Sequence, residues 1–148
     1  MTYYYEDEGI MPDRKKKNDY ERLLTNLFVK QMTKEGAICH RFKDAGYKNP
    51  FDMYLYHNQV WMPIEWKLKV GGQTFNVDAW RERQPHQYDN LVKACKQGAR
   101  AMLGIFWIPL HGTPSSAEWR VMRVEMLPNK VPKSNMCMVT NLKELMEA

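Results

Sequence analysis

Apolar residues recur at helical spacing over Tyr20, Leu23, Leu24, Leu27, Phe28 and Met32, which predicts an amphipathic helix from about Asp19 to Glu35. The period then drops to two. Ala37 to Phe42 reads as a short strand, with His40 and Arg41 as ordinary surface groups. Phe51, Met53 and Leu55 alternate with Asp52, Tyr54 and Tyr56, and Val60, Met62, Ile64, Trp66 and Leu68 alternate with Trp61, Pro63, Glu65, Lys67 and Lys69. Two half-buried strands follow, Phe51 to Tyr56 and Val60 to Val70. Between Gly71-Gly72 and Gln84 no period is visible, so a long loop is expected, either a substrate clamp or a simply flexible segment. Pro85 suits the first turn of a helix whose apolar stripe is Tyr88, Leu91, Val92 and Cys95 and whose end is Gly98. Ala101 to Ile108 is almost wholly apolar, the mark of a strand buried on both faces, and a strand, helix, strand unit implies a parallel crossover. Glu118 to Val124 alternates again after a turn containing His111, Gly112 and Pro114, so the sheet is mixed. Lys130 to Ser134 reads as linker, and Asn141-x-x-Glu144 as the start of a short terminal helix.

The two central strands place chemistry. If the chain reverses at Asn58-Gln59, His57 faces Val60, and the same antiparallel register sets Met53 opposite Ile64, Phe51 opposite Trp66 and Asp52 opposite Glu65. Directly opposed side chains lie roughly 5 Å apart at Cβ, where like charges repel, and a bound cation resolves the conflict. Lys67 follows two residues later on the same face, about 6.6 Å along the strand, where its amine reaches a phosphate held by that cation. Lys69 extends the positive edge. An alternating acid and base on a strand is otherwise a solvated face; the hairpin register, the Asn49-Pro50 turn and the downstream helix and strand favour a metal site. Pro63 cannot donate to a ladder and predicts an edge position or a bulge beside Glu65. Glu21 is open to two roles, a third metal ligand or the glutamate of an Asn18-x-x-Glu21 capping box. The loop from Asp44 to Pro50 is expected at the mouth of the site.

Composition narrows the class. The chain has 148 residues, which suits one domain, and a mean hydropathy of −0.64, which makes it a polar one. We divide it into an N-terminal arm at 1–17, a domain at 18–126 and a C-terminal extension at 127–148. Lys and Arg number 22 against 17 Asp and Glu, a modest positive field that favours a polyanionic partner without requiring one. The tetrad Arg14, Lys15, Lys16 and Lys17, together with Arg81 and Arg83, supplies candidate phosphate contacts. No stretch reaches the length of a membrane span, and the tyrosine-rich, acidic start lacks the form of a signal peptide, so a cytoplasmic setting is expected. Cys39, Cys95 and Cys137 are scattered and unpaired in spacing, which points to reduced, mostly buried thiols rather than a disulfide framework or a zinc site. Hard oxygen ligands favour Mg²⁺ or Mn²⁺.

The order of elements, with Glu21 on a helix, Asp52 and Glu65-x-Lys67 on a hairpin and a later helix opening at His86-Gln87, resembles the PD-(D/E)xK nuclease superfamily. Within it, the chain looks most like the small Holliday-junction resolvases and the virus-type replication-repair nuclease domains, over about residues 18 to 126. The resemblance implies an α/β restriction-endonuclease-like core, a mixed central sheet flanked by helices in the order α-β-β-β-α-β-β. It implies that Asp52 and Glu65 bind divalent metal, that Glu21 completes the metal shell, that Lys67 assists the attacking water or the transition-state charge, and that Gln87 orients groups nearby. It further implies a Mg²⁺-dependent endonuclease acting on branched DNA as a homodimer, in the host cytoplasm if the source is a phage. Position 51 is Phe where the motif has proline before its aspartate, with Pro50 displaced by one. Flap, single-strand and restriction-type cutting remain alternatives, as do a non-catalytic nucleic-acid-binding module and a small scaffold or inhibitory protein making contacts through Trp61, Trp80 and Tyr88.

Overall fold

The structure is a computed structural model that describes residues 14–42 and 50–148. A long helix, α1 (Arg14–Lys34), leads into β1 (Ile38–Arg41), and a hairpin of β2 (Met53–His57) and β3 (Val60–Val70) follows. The chain then makes β4 (Thr74–Asn76), α2 (Val77–Arg83) and α3 (Pro85–Lys96) before β5 (Met102–Ile108) and β6 (Glu118–Arg123). It closes with β7 (Lys130–Pro132), β8 (Cys137–Met138) and α4 (Leu142–Glu147). Six strands form one sheet in the order β1-β2-β3-β5-β6-β8, and β4 pairs with β7 in a separate ribbon. β3 and β5 are parallel and the other pairings are antiparallel, so the sheet is mixed as expected.

The two faces of this sheet carry two cores. Leu24, Phe28 and Met32 of α1 pack on Met53, Leu55, Met62, Ile64, Trp66 and Leu68, the apolar set read from the alternation. On the opposite face Phe75, Val77, Trp80 and Leu91 pack on Leu103, Ile105 and Trp107. Leu23 and Leu27, counted in the helical stripe, stay 47% and 43% exposed, because the stripe is wider than the surface α1 buries. Trp66 stacks on Phe106 with ring centroids 4.1 Å apart, directly over Gly104 of the neighbouring strand. A Cβ at Gly104 would lie 2.4 Å from the indole ring, so only glycine admits this packing.

The hairpin has the expected register from its turn to Met53, but β2 begins there, so the expected Phe51–Trp66 and Asp52–Glu65 ladder pairs do not form and Phe51 packs with the α2–α3 core. Asn58 and Gln59 both take positive φ, 48° and 66°, the two-residue turn whose twist suits antiparallel strands, and the ladder runs from His57–Val60 to Met53–Ile64. Pro63 is a correction: β3 is a central strand, and the ladder is continuous where an edge or a bulge was expected. Counting from the pair that closes the turn, Tyr54–Pro63 is a non-hydrogen-bonded pair, so the proline nitrogen faces away from β2. On the other side the β5 ladder begins only at Ile64.

Other expectations change with the third dimension. Helix α1 begins at Arg14, earlier than the Asp19 expected, and includes Lys15, Lys16 and Lys17. Residues 1–13 of the N-terminal arm and 43–49 of the loop before Pro50 lie outside the described residues. The stretch after Gly71-Gly72 is β4 and α2 rather than a loop. Asn76 caps α2 by accepting from the Ala79 N–H, and Phe75, Val77 and Trp80 are buried. Both glycines take φ near 70°, and their carbonyls accept from the Trp107 indole N–H at 3.1 and 3.2 Å, which fixes the turn out of β3. Residues 130–134 are β7 and a 3₁₀ turn in place of a linker, and α4 sets Leu142 and Leu145 in the α1-side core. Asn141 caps α4 by accepting from Glu144 N–H, as its spacing suggested. Cys39, Cys95 and Cys137 are free thiols, none fully buried. Among the described residues no helix is long and apolar enough to cross a membrane.

Candidate active site

The polar positions of β3 point away from α1, into the layer formed by α2 and α3. Glu65 and Lys67 are 2% and 7% exposed, so the face expected to be solvated is interior. A charge so placed requires partners. The Lys67 Nζ donates to Gln84 Oε1 and to Gln87 Oε1, each at 2.6 Å, and lies 3.6 Å from Glu65 Oε2. Trp80 Nε1 donates to the same Gln87 oxygen at 2.9 Å, which orients the amide with its oxygen toward the lysine. Gln84 stands at the break between α2 and α3, ending one helix and preceding Pro85 of the next. It was missed in the sequence because the stretch lacked a period. Its spacing of three from Gln87, one helical turn, is the signal that pairs the two.

Asp52 lies just before β2. Its Oδ2 accepts the Trp66 main-chain N–H at 2.9 Å, and its carbonyl accepts from Phe42 N–H at 3.0 Å. The carboxylate thus takes a ladder position that a strand residue would have filled, against the backbone of Trp66. The Asp52 carboxyl lies near enough to Glu65 to act on it electrostatically. Burial pushes the Glu65 carboxyl well above the ordinary glutamate range, the Asp52 charge raises it further, and Lys67 opposes both.

Glu21 reaches the same locality from α1. Burial raises its pKa, Lys17 and Lys67 lower it, and the charge of Asp52 raises it. Its carboxylate lies 3.7 Å from Lys17 Nζ. The capping-box role is removed, because α1 starts at Arg14 and Asn18 falls past the first turn, whose N–H groups alone need caps.

The structure therefore brings Asp52, Glu65, Lys67 and Gln87 together, with Glu21 coupled to them electrostatically. It separates the expected phosphate contacts. Lys69 is 1% exposed and offers no surface to a polyanion, a correction that follows from the cover over its strand face. Arg81 stacks 4.2 Å over the Tyr88 ring, donates to its hydroxyl at 2.9 Å and lies 3.8 Å from Asp78. Arg83, Lys15 and Lys16 are exposed, Lys17 is engaged by Glu21, and the Arg14 side chain lies outside the described residues. Of the aromatics considered for protein contact, Trp80 is fully buried, Tyr88 half-buried and Trp61 41% exposed.

The residues suit a hard divalent ion. Asp52 and Glu65 present neighbouring carboxylate oxygens, and Mg²⁺ is commonly held by one or two carboxylates with waters filling its shell. Among the described residues no three His, Cys, Asp or Glu side chains gather closely enough to hold an ion by themselves.

No protein-family model matches the sequence, and no curated protein matches it. In fold the chain is similar to Hjc of Archaeoglobus fulgidus, a Holliday junction resolvase from an archaeal hyperthermophile, with a TM-score of 0.59 and 20% identity. The match covers 85% of this chain and 98% of that one. The architecture is thus the restriction-endonuclease-like fold, with a mixed central sheet flanked by helices.

Proposed function

We propose that the chain is a divalent-metal-dependent DNA endonuclease that hydrolyses phosphodiester bonds and selects branched DNA in the manner of a Holliday-junction resolvase. The observation that carries this reading is the meeting of two carboxyls and one amine at a single buried point: the Asp52 charge acts on the buried Glu65 carboxyl, and Lys67 Nζ lies 3.6 Å from the latter. The likeness in fold to a junction resolvase supports the substrate class. Bound at Asp52 and Glu65, Mg²⁺ or Mn²⁺ would supply Lewis acidity toward a phosphate and its attacking water.

The chain's own residues then have separate tasks. Lys67 holds positive charge in a low-dielectric setting, where it acts more strongly on a developing phosphorane than a surface lysine does. Gln84 and Gln87 keep the amine in place by accepting hydrogen bonds from it. Asp52, tied to the Trp66 backbone, fixes the direction of the acidic pair. Exposed Lys15, Lys16 and Arg83 supply counter-charge for a DNA backbone. Paired nicks in a junction call for two sites, and so for a homodimer.

Incubation of the purified protein with four-way junction, flap, duplex and single-stranded DNA, in Mg²⁺, Mn²⁺ or chelator, tests the proposal. We expect metal-dependent cutting with the junction preferred. We also expect a rise in Tm on adding Mg²⁺ that Glu65→Gln abolishes, since a ligand that binds only the folded state stabilises it. Wild-type cleavage by a folded Glu65→Gln protein, or no cutting of any DNA, would overturn the reading.

A further inference from the structure

Helices α2 and α3 cover only part of the sheet face that bears Glu65. The β1–β2 side of that face is lined with rings instead. Register sets His40 beside Tyr54, and Ile38 beside Tyr56 and Trp61. His40 and Tyr54 stack at 5.3 Å and 27°, Tyr54 and Trp61 at 4.1 Å and 23°, so the three rings form one continuous stack. Phe42 meets both His40 and Phe51 edge-on, and its N–H bonds the carbonyl of Asp52, so the aromatic strip runs directly into the candidate site. Trp61 is 41% exposed, Tyr56 38% and Ile38 62%, an unusual outlay of apolar surface for a sheet face.

The far end of the strip opens into a cleft of about 610 Å³ walled by Trp61 and the end of α3, with Arg100 and Arg123 in its lining. Burial and then the neighbouring Arg123 charge disfavour the charged form of Arg100, and the two guanidiniums donate to the carbonyls of Met146 and Ala148. Glu125 also lines the cleft, its carboxylate accepting from the Cys95 thiol at 3.3 Å. Rings that stack in series, next to converging cations and continuous with a phosphate-cutting site, match the chemistry of an unpaired nucleic-acid strand. Duplex DNA keeps its base faces stacked inside and cannot use such rings.

We propose that the His40–Tyr54–Trp61 strip is a stacking platform for unpaired bases of the strand whose backbone enters the Asp52–Glu65 site, with Arg100 and Arg123 facing its phosphates. The proposal rests on the nuclease reading for the polarity of the track, and it adds single-strand character to the substrate. Trp61 precedes Glu65 by four positions on β3, about 13 Å, so the platform engages nucleotides beside the cut rather than at it.

Binding in chelator, where no cutting occurs, separates the two readings. The affinity of the full chain for a dye-labelled oligothymidylate and for a duplex of equal length is measured for wild type, Trp61→Ala and Trp61→Phe. Trp61 is exposed, so removing it leaves the cores untouched, and circular dichroism checks the fold. We expect Trp61→Ala to lose about tenfold in oligothymidylate affinity, the scale of one stacked base, with duplex affinity unchanged and Trp61→Phe restoring most of the loss. Unchanged oligothymidylate affinity would overturn the platform, as would a variant that only converts a dimer to a monomer by light scattering. A Trp61-dependent affinity in a protein that cuts no DNA would leave the platform standing and remove the nuclease reading.

Discussion

The Asp52 carboxylate accepts the Trp66 main-chain N–H at 2.9 Å, so an acidic side chain occupies a place in the β-ladder between Glu65 and Lys67. One oxygen is held by the backbone, and the charge of the carboxyl acts on the buried Glu65 nearby. Structure and proposed chemistry can be separated here. Asp52→Asn keeps an acceptor for the Trp66 N–H and loses the charge, so we expect near-wild-type stability with cleavage abolished. Asp52→Ala also orphans the N–H and should cost a further ~1 kcal/mol in denaturant unfolding. Equal stability losses in the two variants would count against this role for the backbone bond.

Lys67 depends on two amides. Gln84→Ala removes one of its two 2.6 Å acceptors while leaving Gln87 and its Trp80 anchor in place. A displaced amine should lower the single-turnover cleavage rate by about 10- to 100-fold with little change in DNA affinity, the usual cost of small misplacement at a reacting centre. A loss confined to affinity would show that Gln84 contacts DNA rather than positions Lys67.

Gly104→Ala tests the packing beneath the site. The added methyl meets the Trp66 ring at 2.4 Å, and Trp66 carries Glu65 and Lys67 on either side of it in the chain. Overpacking of this kind costs about 1–3 kcal/mol. We expect a lower Tm and, in protein that stays folded, reduced cleavage from a displaced β3.

The last stretch of chain is tied down by charge. Partial burial pushes the Glu118 carboxyl up, but hydrogen bonds from Lys133 and Arg120 outweigh it and hold the pKa below the ordinary glutamate value. The contacts are 2.8 Å to Lys133 and 3.0 Å to Arg120. A carboxyl whose pKa falls on folding stabilises the native state above its unfolded pKa and loses that contribution as pH drops through the folded value. Glu118→Gln should therefore lower stability by about 1 kcal/mol at neutral pH, with the gap to wild type closing below about pH 4. A gap that stays constant with pH would assign the effect to packing.

The strongest sequence signal was the hairpin, and it was correct in register because two local rules agree there. Side chains alternate with period two, and Asn58-Gln59 can adopt the positive φ that a two-residue turn requires. Asp52 could thus be set beside Glu65 without coordinates, although not the fact that it leaves the ladder to bond a backbone N–H. Pro63 misled because its effect depends on which hydrogen-bonding phase it occupies and on where the next strand begins.

By itself, the sequence determined the α1 stripe, the hairpin, the buried β5, and the identity of the acidic pair with its lysine, since each is written in neighbours a few positions apart. Tertiary structure alone decided that Glu65, Lys67 and Lys69 are interior, that Glu21 comes within electrostatic reach of Asp52 and Lys67 instead of capping a helix, and that Gln84 accepts from the lysine. Each of those outcomes depends on α2 and α3 folding over β3, or on α1 reaching across from the other face. Burial and pairing between segments far apart in the chain are set by packing, which leaves no period in any one of them.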